Sequence, residues 1–340
     1  MVKITNNLEF NYKNPKIIAE ISGNHLQSKS RFMNLIKSAF KNGADLVKIQ
    51  TYEPEDITLN IKNNHFKIKS GIWKNQYLWD LYQKAHTPYK WHKEAFEYAN
   101  RKGKILFSSP FSLKAVDFLE KLNVKLYKIS SFEITDVRLV EYIAKKNKPI
   151  IISTGMASIK EISVAKKIIN KYHNKLIILH CISNYPTNLN DANLDQINQL
   201  KKKFKKNLIG LSDHTDDIVS SYISSGIGVC VIEKHFTIDE KKTPDSKFSI
   251  KPDQLKILKS NLSNVFCNKS SKKNNINKNK NLRRSIFASK NIKKNERFTT
   301  NNLTTFRPNV GVPASDFFKI VNKKAKKNKK QFDPIFKSDY

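Results

Sequence analysis

The stretches GLSDHT, residues 210–215, and VIEKHFT, residues 231–237, decide the fold. Each is an apolar run that turns polar and carries a histidine near its end, His214 and His235, 21 residues apart. Two neighbouring parallel strands that stop at one rim bring such side chains together, with a helix filling the interval. Six runs of the same kind precede them: KIIAEIS (16–22), ADLVKIQ (44–50), KILFSS (104–109), KLYKISS (125–131), PIIIST (149–154) and KLIILHC (175–181). They are rich in β-branched residues and nearly continuous in apolarity, as parallel strands covered on both faces are. Between them, SRFMNLIKSAFKNG (30–43) and SLKAVDFLEKLN (112–123) repeat with a period near 3.6. Ser112 and Ser158 stand at N-cap positions and Gly43 at a C-cap. Eight strands alternating with helices predict a (β/α)8 TIM barrel over residues 1–266.

Composition bounds the rest. The 340 residues suffice for a barrel plus one small domain. After Phe266, NKSSKKNNINKNKN is polar and of low complexity, which predicts a linker over 267–281. Short alternating runs from Leu282 onward predict a small β-rich domain over 282–340. No apolar run is long enough to span a bilayer, and the N-terminus has no apolar h-region. Cys181, Cys230 and Cys267 are a sparse, odd set, which predicts buried thiols in a reduced, cytoplasmic protein. The net charge of +34 invites a nucleic-acid reading. Only seven residues are arginine, however, and lysine supplies 56 of the 63 basic residues. Readers of nucleic acid favour arginine forks and stacking aromatics, so a composition bias along the whole chain accounts for the charge better than a patch does.

Barrels of this kind keep their chemistry at the C-terminal strand ends. Those ends here carry Glu20, Asn24 and His25; Lys48 and Gln50; Ser108 and Ser109; Lys128, Ser130, Ser131 and Glu133; Ser153 and Thr154; Asn184 and Tyr185; Ser212, Asp213 and His214; Glu233, Lys234 and His235. Lys48 and Lys128 with Ser109, Ser131, Ser153 and Ser212 offer cations and short donors suited to a phosphate and a carboxylate. His214 and His235 suit a divalent metal with positions left for water and substrate, although buried histidines satisfied by backbone are common. Glu133 and Asp245 are candidates to hold hydroxyls or move protons, against the alternative of ordinary salt bridges. The connection from Asn60 to Trp91 is long and contains GIWKNQYLWDLYQKAHTPYKW. It reads either as a lid over the barrel mouth or as a helix on its outside.

Nine strings in order, IAEISGNH, GADLVKIQT, SSPFS, YKISSFEI, IISTGM, ISNYPT, GLSDHT, VIEKHFT and PDSKFSI, resemble the sialic acid synthase family, which condenses phosphoenolpyruvate with an amino sugar. RRSIFASKNIKKNE and RPNVGV resemble that family's SAF, or antifreeze-like, domain. The lid segment and QTYEPEDITL resemble the pseudaminate-forming branch, which implies a 2,4-diacetamido-2,4,6-trideoxy-altrose substrate. The neuraminate and legionaminate branches share the chemistry. The resemblance implies that Lys48, Ser109, Lys128, Ser131, Ser153, Asn184 and Ser212 contact phosphoenolpyruvate. It implies that His214 and His235 hold a divalent metal such as Mn²⁺, Mg²⁺ or Co²⁺, and that Glu20, Gln50, Glu133, Tyr185 and Asp245 lie near the sugar. It implies further that Arg307 enters the partner's barrel in a domain-swapped homodimer. The partners expected are small molecules, with no specific nucleic acid and no membrane. Leu26 departs from an asparagine frequent in the family, and Asn295 and Asn309 stand where glycines are expected; asparagine tolerates positive φ better than other non-glycine residues. A pyruvate-dependent barrel aldolase and a basic nucleic-acid-binding protein remain as rivals.

Overall fold

The computed structural model describes residues 1–6, 8–269 and 279–340. The chain divides into two compact units, Met1–Lys269 and Ser270–Tyr340. The first opens with a hairpin, β1 (Val2–Thr5) and β2 (Leu8–Phe10), which the apolar-run reading does not contain because both strands are short and half polar. Val2 and Phe10 are buried in the barrel's core cluster. Just after the hairpin, Tyr12 accepts from the Ile209 backbone N–H at 2.9 Å, tying the segment to the N-terminal end of the barrel strands.

The barrel strands are β3 (Lys16–Glu20), β4 (Leu46–Thr51), β5 (Ile105–Pro110), β6 (Tyr127–Ile129), β7 (Ile150–Ser153), β8 (Leu176–Cys181), β9 (Leu208–Asp213) and β10 (Val231–His235). They are parallel in sequence order and closed by β10 on β3, where His235 lies opposite Glu20. The eight predicted runs are these eight strands. They are buried almost throughout because the helices cover one side and the barrel interior fills the other.

The helices are α1 (Lys29–Lys41), α2 (Leu78–Ala85), α3 (Tyr89–Arg101), α4 (Leu113–Lys121), α5 (Val137–Lys145), α6 (Ile159–Asn170), α7 (Gln196–Lys203), α8 (Val219–Ile227) and α9 (Pro252–Lys269). Their starts follow cap chemistry. The Ser112 hydroxyl accepts from the Ala115 N–H at 3.1 Å, and Ser158 forms a reciprocal capping box with Glu161. Gly43, at φ +105°, follows α1 in the left-handed conformation that lets the chain turn back into β4. The last helix runs three residues past the expected barrel end at 266, and residues 270–278 of the expected linker lie outside the described residues.

The second unit pairs β11 (Ser285–Ala288) with β12 (Leu303–Phe306) antiparallel and adds the short α10 (Phe317–Ile320). Ile286, Ile292, Phe298, Leu303, Ile320 and Ile335 belong to its core cluster. Asn295 takes φ +68°, so a turn where glycine was expected survives with asparagine.

Candidate active site

A cavity of about 500 Å³ opens at the C-terminal ends of the barrel strands. The period-2 geometry of strands decides who enters it. Ser212 and His214 at the end of β9, and Glu233 and His235 on β10, face the cavity. Asp213 and Lys234, between them in sequence, face the other way and are bonded to each other. On these two strands the polar end residues therefore alternate between the cavity and the surrounding helices.

The floor is ionic. Lys48 and Lys128 line the cavity and are both buried. Lys48 Nζ lies 2.8 Å from Glu20 and 3.5 Å from Glu233, and Lys128 Nζ lies 3.7 Å from Glu233. Burial pulls the Lys48 ammonium down, but Glu20 and Glu233 outweigh it and leave the ammonium raised. Lys128 is lowered, because burial there exceeds what Glu233 returns. Two cations thus meet two carboxylates, and the floor is neutral overall. Sequence reasoning counted the lysines and left Glu233 out of the substrate-facing set, although its place two residues before His235, on the same face of the strand, was the available signal. Glu20 is buried beneath the cavity, where its carboxylate also accepts from Ser22 and from Gln50 Nε2. The Ser109 hydroxyl, also below the surface, is 3.4 Å from Lys48 Nζ. Ser131, Ser153 and Gln50 line the cavity. Gly155, at φ +43°, leaves room for Ser131, since a Cβ there would sit 2.4 Å from the Ser131 side chain.

The two histidines meet, with ring centroids 5.2 Å apart. His214 Nδ1 donates to the Ile182 carbonyl at 2.9 Å, which leaves the Nε2 lone pair free. His235 Nδ1 is buried without a hydrogen-bond partner. Burial, with His214 alongside, holds His235 neutral and well below the usual imidazole range. His214 goes the other way: burial pulls it down, but the Cys181 thiol 3.7 Å from its Nδ1 outweighs that and leaves it raised. A divalent cation requires an imidazole nitrogen without its proton, so its binding would displace any proton on His214. Among the described residues no cluster of three or more His, Cys, Asp or Glu is arranged around a metal position. A cation held here would therefore rest on two imidazoles and take its other ligands from water and substrate.

The rest of the lining is largely aromatic and aliphatic. Ile57, Ile68, Trp73, Leu78, Leu81 and Tyr82 come from the long connection before α3. Trp73 donates from Nε1 to the Pro244 carbonyl at 3.0 Å and packs against Tyr185, which in turn lies 4.4 Å from the His214 ring. Of the two readings of Asn60–Trp91, its middle part and α2 line the cavity, and only its last residues enter α3, where Trp91 is buried. Two further carboxyls face the cavity. Glu133 is pushed up to about 7 by burial, against the pull of Lys128. Asp245 is likewise pushed up to about 7 by burial, against the backbone N–H of Gly23, which it accepts at 2.7 Å. Asn184 is exposed on the loop after β8, outside the set that lines the cavity. Arg307 is exposed on the second unit.

The NeuB family model matches residues 35–274, and the SAF domain model matches residues 283–340. The chain is 40% identical to the pseudaminic acid synthase of Campylobacter jejuni over 95% of its own length and 96% of that protein. The chain belongs to the NeuB family. It is 37% identical to the N,N'-diacetyllegionaminic acid synthase of the same organism, over 95% of this chain and 99% of that protein. Among solved structures, the N-acetylneuraminic acid synthetase of Leptospira borgpetersenii superposes with a TM-score of 0.72 at 28% identity, covering 82% of this chain and 93% of that one. The motifs that resembled sialic acid synthases are thus those of a NeuB-family chain, and its barrel and SAF domain are the architecture the strings implied.

Proposed function

We propose that this enzyme condenses phosphoenolpyruvate with 2,4-diacetamido-2,4,6-trideoxy-L-altrose and water, releasing pseudaminic acid and phosphate. The observation that carries the reading is the mixed lining of one cavity: lysines, serines and imidazoles together with the apolar groups Trp73, Leu78, Leu81 and Tyr82. An anionic enol phosphate suits the first, and a sugar with a methyl and two acetamido groups suits the second.

The C3 carbon of phosphoenolpyruvate attacks the aldehyde carbon of the open-chain sugar, and the aldehyde oxygen takes up a proton. Water adds at C2 and gives up one proton; the C2–O bond to phosphate then breaks, the C2 ketone forms, and the second proton of that water leaves with the phosphate. Glu133 and Asp245, which hold their protons up to about pH 7, are the groups to donate and accept these protons. Lys48 and Lys128 hold the phosphate and carboxylate with Ser109, Ser131, Ser153 and Ser212. Because the floor is neutral overall, the lysines must exchange Glu20 and Glu233 for oxygens of the incoming anion. Asn184 joins them by turning inward, and Gln50 and Tyr185 border the sugar. His214 and His235 would hold a divalent cation, which supplies Lewis-acid polarisation of the sugar carbonyl. Holding both reactants in line contributes the rest of the acceleration. Arg307 is supplied by the partner's SAF domain in a domain-swapped homodimer, and the buried free thiols Cys181 and Cys230 accord with a reducing, cytoplasmic setting. No helix among the described residues is long and apolar enough to cross a membrane.

The legionaminate reading stays as the second, because identity to that synthase is only slightly lower. Incubation with phosphoenolpyruvate and each candidate sugar, with phosphate and product mass assayed, tests both. Phosphate release with the altrose derivative, abolished by EDTA and restored by Mn²⁺, is expected. Release only with another sugar moves the chain to another branch, and release with none of them overturns the synthase reading.

A further inference from the structure

Asp213 and Lys234 form an ion pair sealed between the barrel and α8, with Nζ 3.2 Å from Oδ2 and side chains 2% and 0% exposed. Asp213 Oδ2 also accepts from the Ser220 and Ser221 hydroxyls at 2.5 and 2.6 Å, both in the first turn of α8. Asp213 Oδ1 accepts from Thr215 N–H at 3.0 Å and from its hydroxyl at 2.8 Å. Lys234 Nζ donates to the Thr215 carbonyl at 2.6 Å and to its hydroxyl at 3.1 Å.

Neither charged side chain lines the cavity. A buried ion pair is also an inefficient way to stabilise a fold, since desolvating two charges is expensive and an apolar pair of similar volume often does as well. Position is what sets this pair apart. Asp213 and Thr215 bracket His214, while Lys234 directly precedes His235 and is the cross-strand partner of Asp213. The ammonium is therefore bonded to the residues on both sides of one histidine while its own backbone carries the other.

We infer that the Asp213–Lys234 pair is a positioning device that fixes the spacing of the His214 and His235 imidazoles and thereby sets the affinity of the site for a divalent cation. This rests on the reading of the two histidines as cation ligands. With two protein ligands in place of four, affinity depends steeply on their mutual placement.

The test uses the full chain stripped of metal, with Mn²⁺ alone as the probe in calorimetric titration and thermal melts recorded without metal. The variant Asp213→Leu/Lys234→Met removes both charges. Its Tm is expected within a few degrees of the parent, while the Mn²⁺ dissociation constant weakens about 10–100-fold and excess Mn²⁺ restores turnover. A folded double variant that binds Mn²⁺ within twofold of the parent overturns the inference. If the double variant does not fold, Ser220→Ala/Ser221→Ala decides by the same readout: it keeps the charges, loosens Asp213, and is expected to weaken Mn²⁺ binding several-fold without lowering the metal-free Tm in proportion. A parent protein that takes no Mn²⁺ overturns the cation reading and this inference with it. That result is distinct from equal binding by parent and variant, which rejects the inference alone.

Discussion

Glu133 is half-buried as a residue, but its Oε2 is buried and unpartnered, and its carboxyl is raised from an ordinary 4.5 to about 7 by burial. In the folded protein it keeps a proton that the unfolded chain gives up above about 4.5. Its contribution to stability is therefore fully present below about pH 4.5 and is lost as the pH rises through about 7. The shift corresponds to at most about 3 kcal/mol, before allowance for relaxation. Glu133→Gln removes the charged form. Its Tm relative to the parent, measured without ligands, is expected to rise from pH 5 to about pH 7 and then level off; a difference that stays flat from pH 5 to pH 7 removes burial as the cause. Leu26 presents a different local cost. It sits at φ +52°, a left-handed conformation that branched, bulky side chains resist, and it is exposed. Leu26→Asn is expected to gain about 0.5–1 kcal/mol in urea unfolding, and a loss of stability would show that the leucine makes a contact worth more than the strain.

At the scale of elements, the stretch between β4 and α3 supplies apolar lining of the cavity, on which the proposed sugar subsite rests. Trp73→Ala removes part of the apolar wall and the bond to the Pro244 carbonyl. The expected result is a KM for the sugar raised roughly 5–30-fold, equivalent to 1–2 kcal/mol of lost apolar contact, with the KM for phosphoenolpyruvate changed less than threefold. Parallel rises in both KM values would mean that the tryptophan organises the whole site. The barrel strands were legible in the sequence because strands buried on both faces leave long apolar runs, such as KLIILHC in β8. The hairpin was not, since VKIT and LEF are too short for alternation to register. Within the site, the residue types and the rim were legible, but orientation was not. Asp213 and Lys234 are as polar as their neighbours, and only the pleat tells that they turn away from the cavity. That Lys48 and Lys128 are already paired with carboxylates needed the third dimension too, because Glu20 and Glu233 are far apart in sequence.

For the whole molecule, the reach of the SAF domain is the open question of function. Arg307→Ala subunits mixed with His214→Ala subunits, each inactive alone, discriminate. If Arg307 serves the partner's barrel, the mixed dimer contains one barrel with intact histidines and an intact visiting arginine, and up to one of its two sites is active. If Arg307 serves its own barrel, every site carries one defect. No recovery after verified subunit exchange therefore rejects the swapped dimer. The order in which the chain is made adds a constraint of its own. The barrel closes where β10 meets β3, and that seam sets His235 opposite Glu20. The first strand of the pair leaves the ribosome roughly 10–40 s before the last, at about 5–20 residues per second. Until that last strand emerges, Lys48 has Glu20 but not Glu233, and Lys128, once made, lacks the Glu233 carboxylate altogether. Lys128 and an open sheet edge must be kept in waiting until the eighth strand arrives, so the newborn chain passes through a stage with an unclosed seam that the finished enzyme never shows.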